Sequence, residues 1–321
     1  MSPPSVTNNT KESLGRQYAE LKTNYNLPND AKEHQRLNSQ HEVLKLQAGG
    51  NFMAPLDPKD VHDILDICSG GGQWAIEMAQ SFPRASVVGI DISLPSLDPS
   101  SPKPPNCKFQ QCDVTKPLPF PDASFDFVQM RTVPSIPDRT HVMSEITRIL
   151  RPGGIIQLVE PYESFSNTLT AGGPKPYKRS PKLIQFDEYL SRLPHVSHSY
   201  DPATETKGKS WSIAPELFDL VSSHGGEGNK SYTNVQRKDV VLPVGTWPSD
   251  PVQKQIAETM ASVQMGVIDG FRAPFIKRGI LTLGQFDLLR EEVREEVYKG
   301  GNGERGWEIC FSFNWVWAER T

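Results

Sequence analysis

The stretch His62–Ser93, HDILDICSGGGQWAIEMAQSFPRASVVGIDIS, limits what this chain can fold into more than any other. A short apolar run, Ile64-Leu65-Asp66-Ile67, carries a carboxylate near its end. Gly70-Gly71-Gly72 supplies a turn, and Trp74, Ala75, Met78 and Ala79 recur at helical spacing. Pro83 stops the helix, and Val87-Val88-Gly89-Ile90 forms a second apolar run closed by Asp91. Two buried strands joined through a helix make a right-handed βαβ unit with a parallel sheet. Glycines between strand and helix let a ligand approach the backbone beside the unpaired N–H groups of the helix start. An acid closing the second strand can accept both hydroxyls of a ribose. The stretch therefore reads as a nucleotide-type binding site. Gly70-x-Gly72-x-x-Ala75, with Asp91 at 91 − 72 = 19 residues beyond Gly72, also satisfies the dinucleotide fingerprint. An NAD-dependent dehydrogenase, or a glycine turn with no ligand, stays open at this point.

The pattern repeats downstream. Lys108–Asp113 reads as a third strand and Phe125–Met130 as a fourth, with Asp126 near its start and Arg131 just past its end. A helix over His141–Leu150 is broken by Arg151-Pro152-Gly153-Gly154, and Ile155–Glu160 follows as a fifth strand. Repeated βαβ units over residues 62–160 predict a doubly wound open sheet. Upstream, Ala31–Ala48 places Leu37, His41 and Leu44 on one face of an amphipathic helix that Gly49-Gly50 ends. Downstream, residues 163–210 are irregular apart from a helix over Leu183–Leu193. Trp211–His224 reads as helix and Ser231–Val244 as strand. Residues 251–298 are helical with a break at Gly270–Pro274. The apolar run Ile309–Ala318 must lie inside a sheet.

Composition narrows the function classes. A net charge of −4, with 22% charged residues of both signs, gives no polyanion-binding surface, so nucleic acid is not an expected partner. The four cysteines (Cys68, Cys107, Cys112, Cys310) form no CxxC pair, which argues against a zinc site or disulfide framework and for a reducing compartment. The polar N-terminus has no signal-peptide pattern, and no apolar run reaches membrane-spanning length. The expectation is a cytoplasmic enzyme without a membrane partner.

Strand-end acids at Asp66, Asp91 and Asp113, then PFPDASFDFVQMR, a helix and LRPGG before the fifth strand, resemble the class I S-adenosylmethionine-dependent methyltransferases. More narrowly, the chain resembles the fungal group that includes regulators and tailoring enzymes of secondary metabolism. That likeness rests on Leu27-Pro28-Asn29-Asp30 with Glu33, Arg36-Leu37 and Gln40-His41, on Ala54-Pro55-Leu56 and Trp74–Ala79, on Leu242–Trp247, and on Glu291–Glu296. The resemblance implies a Rossmann-like, mostly parallel seven-stranded α/β sheet whose last strand is antiparallel and inserted between the fifth and sixth. It implies a helical N-terminal extension over 1–50, a cofactor-binding core over 51–162 and a variable insertion over 163–210. A core helix and sixth strand would follow over 211–245, a helical lid over 246–305 and the final strand over 306–321.

The resemblance also assigns roles. Asp66, Cys68, Gly70 and Gly72 would face the methionine part of S-adenosyl-L-methionine, and Asp91, next to Ile92, would hold the ribose. Asp113 with Val114 would read the adenine amino group, and Arg131, Thr132 and Val133 would line the methionine pocket. Cys68 departs from the family's D-x-G-x-G-x-G turn by standing at its first glycine, where a side chain is expected to crowd the backbone. For chemistry, His141, Glu160 and Tyr162 are the candidate catalytic residues, because they sit past the strands where substrate should lie; Glu163 flanks the same end. His41 is of interest as part of a lid. Trp74, Trp247, Trp307, Trp315 and Trp317 are expected in the core. Met260, Met265, Phe271 and Phe275 are expected to form a lid or dimer surface with an apolar substrate pocket. No metal is implied. The partner is a small-molecule acceptor, a hydroxyl or amine of a fairly apolar metabolite, and a homodimer is a candidate assembly. The alternative is a non-catalytic or weakly catalytic S-adenosylmethionine-binding regulator of secondary metabolism acting through protein partners.

Overall fold

The computed structural model describes residues 10–19, 25–97, 103–133, 136, 138–162, 169–170, 173–174, 180–193, 212–226, 228, 230–299 and 309–321. The chain opens with a small antiparallel hairpin, β1 (Thr10–Ser13) and β2 (Arg16–Ala19). Helix α1 (Ala31–Ala48) follows; the Asp30 carboxylate accepts from the Glu33 N–H at its start, and Gly49 at φ 82° closes it. The sheet begins with β3 (Asp63–Ile67), α2 (Gln73–Ser81), β4 (Ser86–Asp91) and β5 (Cys107–Gln111), and continues with β6 (Phe125–Arg131), α3 (Arg139–Ile149) and β7 (Leu150–Pro161). Beyond it come the two-residue strands β8 (Leu169–Thr170) and β9 (Gly173–Pro174), then α4 (Pro181–Leu190), α5 (Leu217–Ser222) and β10 (Tyr232–Val244). Helices α6 (Pro251–Gly270), α7 (Arg272–Lys277) and α8 (Leu283–Lys299) precede the last strand, β11 (Ile309–Arg320).

The seven-stranded sheet runs β10-β11-β7-β6-β3-β4-β5. Five central and edge strands, β7 to β5, are parallel, and β11 pairs antiparallel with both β7 and β10. This is the expected seven-stranded order with the last strand inserted beside the fifth. The chain leaves β3 for β4 on one side and returns to β6 on the other, so a switch point lies between β3 and β6, where open α/β sheets hold their ligands.

Apolar runs in these strands are continuous because both faces are covered. Ile64, Val87 and Phe127 pack on Trp74, Ala75 and Met78 of α2. Their neighbours Leu65, Val128 and Met130 point the other way, onto Val142, Met143 and Ile146 of α3. A third cluster joins Val159, Leu242 and Trp315 to α1, α4 and α6–α8. Each fully buried side chain of this size contributes about 1.5–3 kcal/mol.

Several elements differ from the sequence expectation. β5 stops at Gln111, so Asp113 lies in the turn after it, where the Lys116 N–H donates to the Asp113 carbonyl. β7 starts at Leu150 and runs through Arg151-Pro152-Gly153-Gly154; Gly153 takes φ 77° and the register against β6 shifts at Phe125/Phe127. The expected helix over Trp211–His224 is reduced to a 3₁₀ turn at Ala214–Glu216 and the short α5. Trp74 and Trp315 are buried, but Trp247 is 37% exposed, with its indole N–H donating to the Ile309 carbonyl. Met260, Met265, Phe271 and Phe275 are buried; Phe271 and Phe275 pack with Phe186 of α4 as ordinary core. Trp211, Trp307 and most of 163–210 lie outside the described residues. Among the described residues no helix is long and apolar enough to cross a membrane.

Candidate functional site

The C-terminal ends of β3, β4 and β6 open into a cavity of about 1250 Å³, counted out to its mouth. Its floor is the turn after β3. Its sides are the ends of β4, β5 and β6, and α1 covers it with Leu37, Asn38, Gln40, His41 and Leu44. Tyr25, just before α1, joins that cover.

The glycines of the floor answer first to α1. A Cβ on Gly71 would meet the Asn38 side-chain oxygen and lie 3.1 Å from the His34 carbonyl, and one on Gly70 would lie 2.8 Å from Leu37 Cδ1. A Cβ on Gly72 would strike the Phe109 ring at 2.7 Å. These glycines thus admit close protein contacts while also lining the cavity. Gly70 and Gly72 also take φ 53° and 78°.

Two residues without a glycine's freedom share that backbone region: Cys68 at φ 58° after β3 and Thr132 at φ 55° after β6. Each costs about 1–3 kcal/mol unless held. Cys68 keeps the backbone a glycine would adopt, and its side chain lines the cavity. Thr132 is held because its N–H donates to the Val159 carbonyl at 2.7 Å. The next residue is held at both polar atoms. The Val133 N–H donates to Glu160 Oε1 at 3.2 Å, and its carbonyl accepts from Arg139 Nη2, which is itself 3.1 Å from Glu160 Oε1. Both partners are buried, so the pair fixes the wall of the cavity at the end of β6.

The charges inside are few and dry. Asp66 is 4% exposed, and burial lifts its carboxyl to about 7 against the pull of Arg131, with Asp91 adding to the rise. Asp91 accepts from the Gly70 N–H at 2.9 Å and the Ser93 N–H at 3.1 Å, while burial raises its carboxyl. Arg131 donates through Nη2 to His41 Nδ1 at 2.9 Å, and its Nη1 is buried without a partner. Asp113 sits at the rim. Burial works to raise its carboxyl, but the Thr115 hydroxyl and N–H, with Lys116, outweigh it and hold it low. His41, Glu42 and Glu77 have ligand atoms within 4.8 Å of one another. The Lys45 ammonium stands beside them, 3.0 Å from Glu77 and 2.9 Å from Glu42.

Residues 64–154 match the family model described as a methyltransferase domain. The chain is 32% identical to Methyltransferase str3 of Strobilurus tenacellus over 237 residues, covering 73% of this chain and 75% of that protein. It is 28% identical to Methyltransferase str2 of the same fungus over 278 residues, 86% of this chain and 91% of that protein. It is also 30% identical to the secondary metabolism regulator laeA of Coprinopsis cinerea, over 90% of this chain and 70% of that protein. The chain belongs to the class I S-adenosylmethionine-dependent methyltransferases, in their fungal secondary-metabolism group.

The residues of this methyltransferase fit the cofactor. An amino-acid end carries one ammonium and one carboxylate. Of the three carboxyls in the cavity's described lining, Asp91 already accepts from the Gly70 and Ser93 N–H groups and Asp113 is engaged by Thr115 and Lys116. Asp66 has no such partner among the described residues, and the Arg131 guanidinium has a spare buried nitrogen. Asp66, Cys68, Gly70, Gly72, Asp91, Ile92, Asp113, Val114 and Arg131, all singled out in the sequence, line this one cavity. The three candidate catalytic residues are not among its described lining. Glu160 is spent on Arg139 and Val133. The Tyr162 hydroxyl, pushed up to about 12 by burial and by Asp239, donates to that carboxylate at 3.1 Å. His141 is the third residue of α3, its N–H accepted by the Asp138 cap. Glu163 lies outside the described residues. Sequence reasoning missed Arg139 and Glu77. Arg139 stands three residues before Val142, on the apolar stripe of α3. Glu77 stands beside the buried Met78 of α2. A charge on an apolar stripe is the signal that could have found Arg139.

Proposed function

We propose that this methyltransferase transfers the methyl group of S-adenosyl-L-methionine to a hydroxyl or amine of a small, fairly apolar metabolite. Bound, the cofactor supplies a methyl carbon already activated by a sulfonium, so the protein's task is alignment and exclusion of water. We assign the ammonium end to Asp66, the carboxylate end to Arg131, the ribose to Asp91 beside Ile92, and the adenine edge to Asp113 with Val114. The observation that carries this reading is that one cavity is lined by both the buried Asp66 carboxyl and the Arg131 guanidinium, which attract each other. Leu37, Leu44, Trp74, Val133 and Ile136 give the remaining wall an apolar lining suited to a fairly apolar acceptor.

His41 is the single imidazole of the described lining, and its Nδ1 accepts from Arg131 while its Nε2 lies 3.2 Å from Glu77. It has no lone pair left to take a proton. An acceptor that brings its own lone pair, as a neutral amine does, or an acidic hydroxyl therefore suits this cavity best. The test is transfer of a labelled methyl from S-adenosyl-L-methionine into a metabolite extract, followed by mass spectrometry of the labelled product. Label in an amine or acidic hydroxyl supports the reading. Label only in protein, or none from folded protein that binds the cofactor, favours the second reading, a cofactor-binding regulator acting through protein partners. That reading draws on the likeness to laeA.

A further inference from the structure

Three side chains from three elements form a line into the cavity. Glu77 of α2 accepts from Gln73 at 3.1 Å, Asn51 at 3.0 Å and Lys45 at 3.0 Å, which fixes its carboxylate. Its Oε2 lies 3.2 Å from Nε2 of His41 on α1. His41 is 2% exposed, and its Nδ1 meets Nη2 of Arg131 at 2.9 Å.

The chemistry of the three groups leaves one arrangement. A guanidinium can only donate, so His41 Nδ1 must be the unprotonated nitrogen. The ring's one hydrogen then sits on Nε2; the Glu77 carboxylate lies 3.2 Å from that nitrogen, out of line for a hydrogen bond but close enough for its charge to favour that tautomer. Burial holds the imidazole below its usual range and so keeps it neutral, as a ring accepting from a cation must be. Arg131 ends β6 with its Nη1 unpartnered, and without His41 nothing among its described contacts would fix the plane of the guanidinium.

We propose that His41 is a positioning residue: neutral, in the Nε2–H tautomer favoured by the nearby Glu77 charge, it presents its Nδ1 lone pair to Arg131 and aims the guanidinium at the carboxylate of the cofactor's amino-acid end. This rests on Arg131 being the carboxylate anchor, as proposed above. α1 is then part of the binding site as well as its cover. Discrimination between S-adenosylhomocysteine and ligands lacking the amino-acid end is set by a residue distant in sequence from the glycine turn.

The test compares the dissociation constants of S-adenosylhomocysteine and 5′-methylthioadenosine, which shares the nucleoside and sulfur but lacks the amino-acid end. Two near-isosteric variants separate the roles. His41→Asn keeps an acceptor near the Nδ1 position; His41→Gln reaches towards Glu77 and removes that acceptor. The expected result is S-adenosylhomocysteine binding weakened roughly tenfold or more in His41→Gln, the size of a lost hydrogen bond to a charged group. His41→Asn should stay within about threefold of the parent, and methylthioadenosine should bind all three alike. Equal loss in both variants, loss shared by methylthioadenosine, or no loss overturns the proposal. Arg131→Met tests the underlying reading separately. If it leaves S-adenosylhomocysteine unweakened, the anchor assignment itself fails. If it weakens that ligand selectively while His41→Gln does not, only the role of His41 fails.

Discussion

Two residues decide how this site balances stability against binding. Cys68 holds φ 58° at the floor of the cavity, a conformation that costs an L side chain about 1–2 kcal/mol and a glycine almost none. Glycine's larger unfolded-state entropy offsets part of that. Cys68→Gly is therefore expected to raise stability by up to about 1 kcal/mol in denaturant unfolding. Asp66 carries the pH dependence. Its folded carboxyl titrates at about 7, above the ordinary 3.8. Between those values the folded state holds a proton that the unfolded state has lost. Stability of the ligand-free protein should then fall as pH rises from about 4 to about 7 and level off above. A ligand ammonium favours the ionised carboxylate, so binding S-adenosylhomocysteine near pH 6–7 should release protons. Calorimetry in buffers of different ionisation enthalpy measures that release, and Asp66→Asn should abolish it while raising the melting temperature of the free protein at about pH 8.

At the scale of elements, the site is made by contacts between segments distant in sequence. α1 rests on the glycine turn, so Gly71→Ala would drive a methyl group into Asn38 and the His34 backbone. Overpacking of this kind costs about 1–3 kcal/mol, and unfolding curves with cofactor titration should record lower stability and weaker binding together. The Glu160–Arg139 pair clamps Val133, so Glu160→Gln leaves a buried guanidinium without its carboxylate; a loss of about 3 kcal/mol is expected in chemical denaturation. These contacts also explain what the sequence made legible. The strands, the glycine turn and the acids at Asp66, Asp91 and Asp113 are local signals of period and punctuation, and parallel strands bring their C-terminal ends together without further information. The pairing of His41 with Arg131 spans 90 residues and that of Arg139 with Glu160 spans 21, and neither has a local pattern. Glu160 and Tyr162 were singled out for standing at a strand end; that position told which edge of the sheet they reach but not that Arg139 and Asp239 would occupy them.

For the molecule as a whole, one doubly wound sheet places its switch point between β3 and β6, and every cofactor candidate named from the sequence converges there. A ligand that binds only the folded state stabilises it by about 2.7 kcal/mol at a hundred times its dissociation constant. The most direct measurement is calorimetric titration of the intact protein with S-adenosylhomocysteine, beside Asp91→Ala shown folded by circular dichroism and a parallel titration with NAD. Saturable binding of one equivalent, lost in Asp91→Ala and absent with NAD, is the expected result. Folded protein that takes up NAD, or that binds S-adenosylhomocysteine equally well without the Asp91 carboxylate, would contradict the assignment of this cavity.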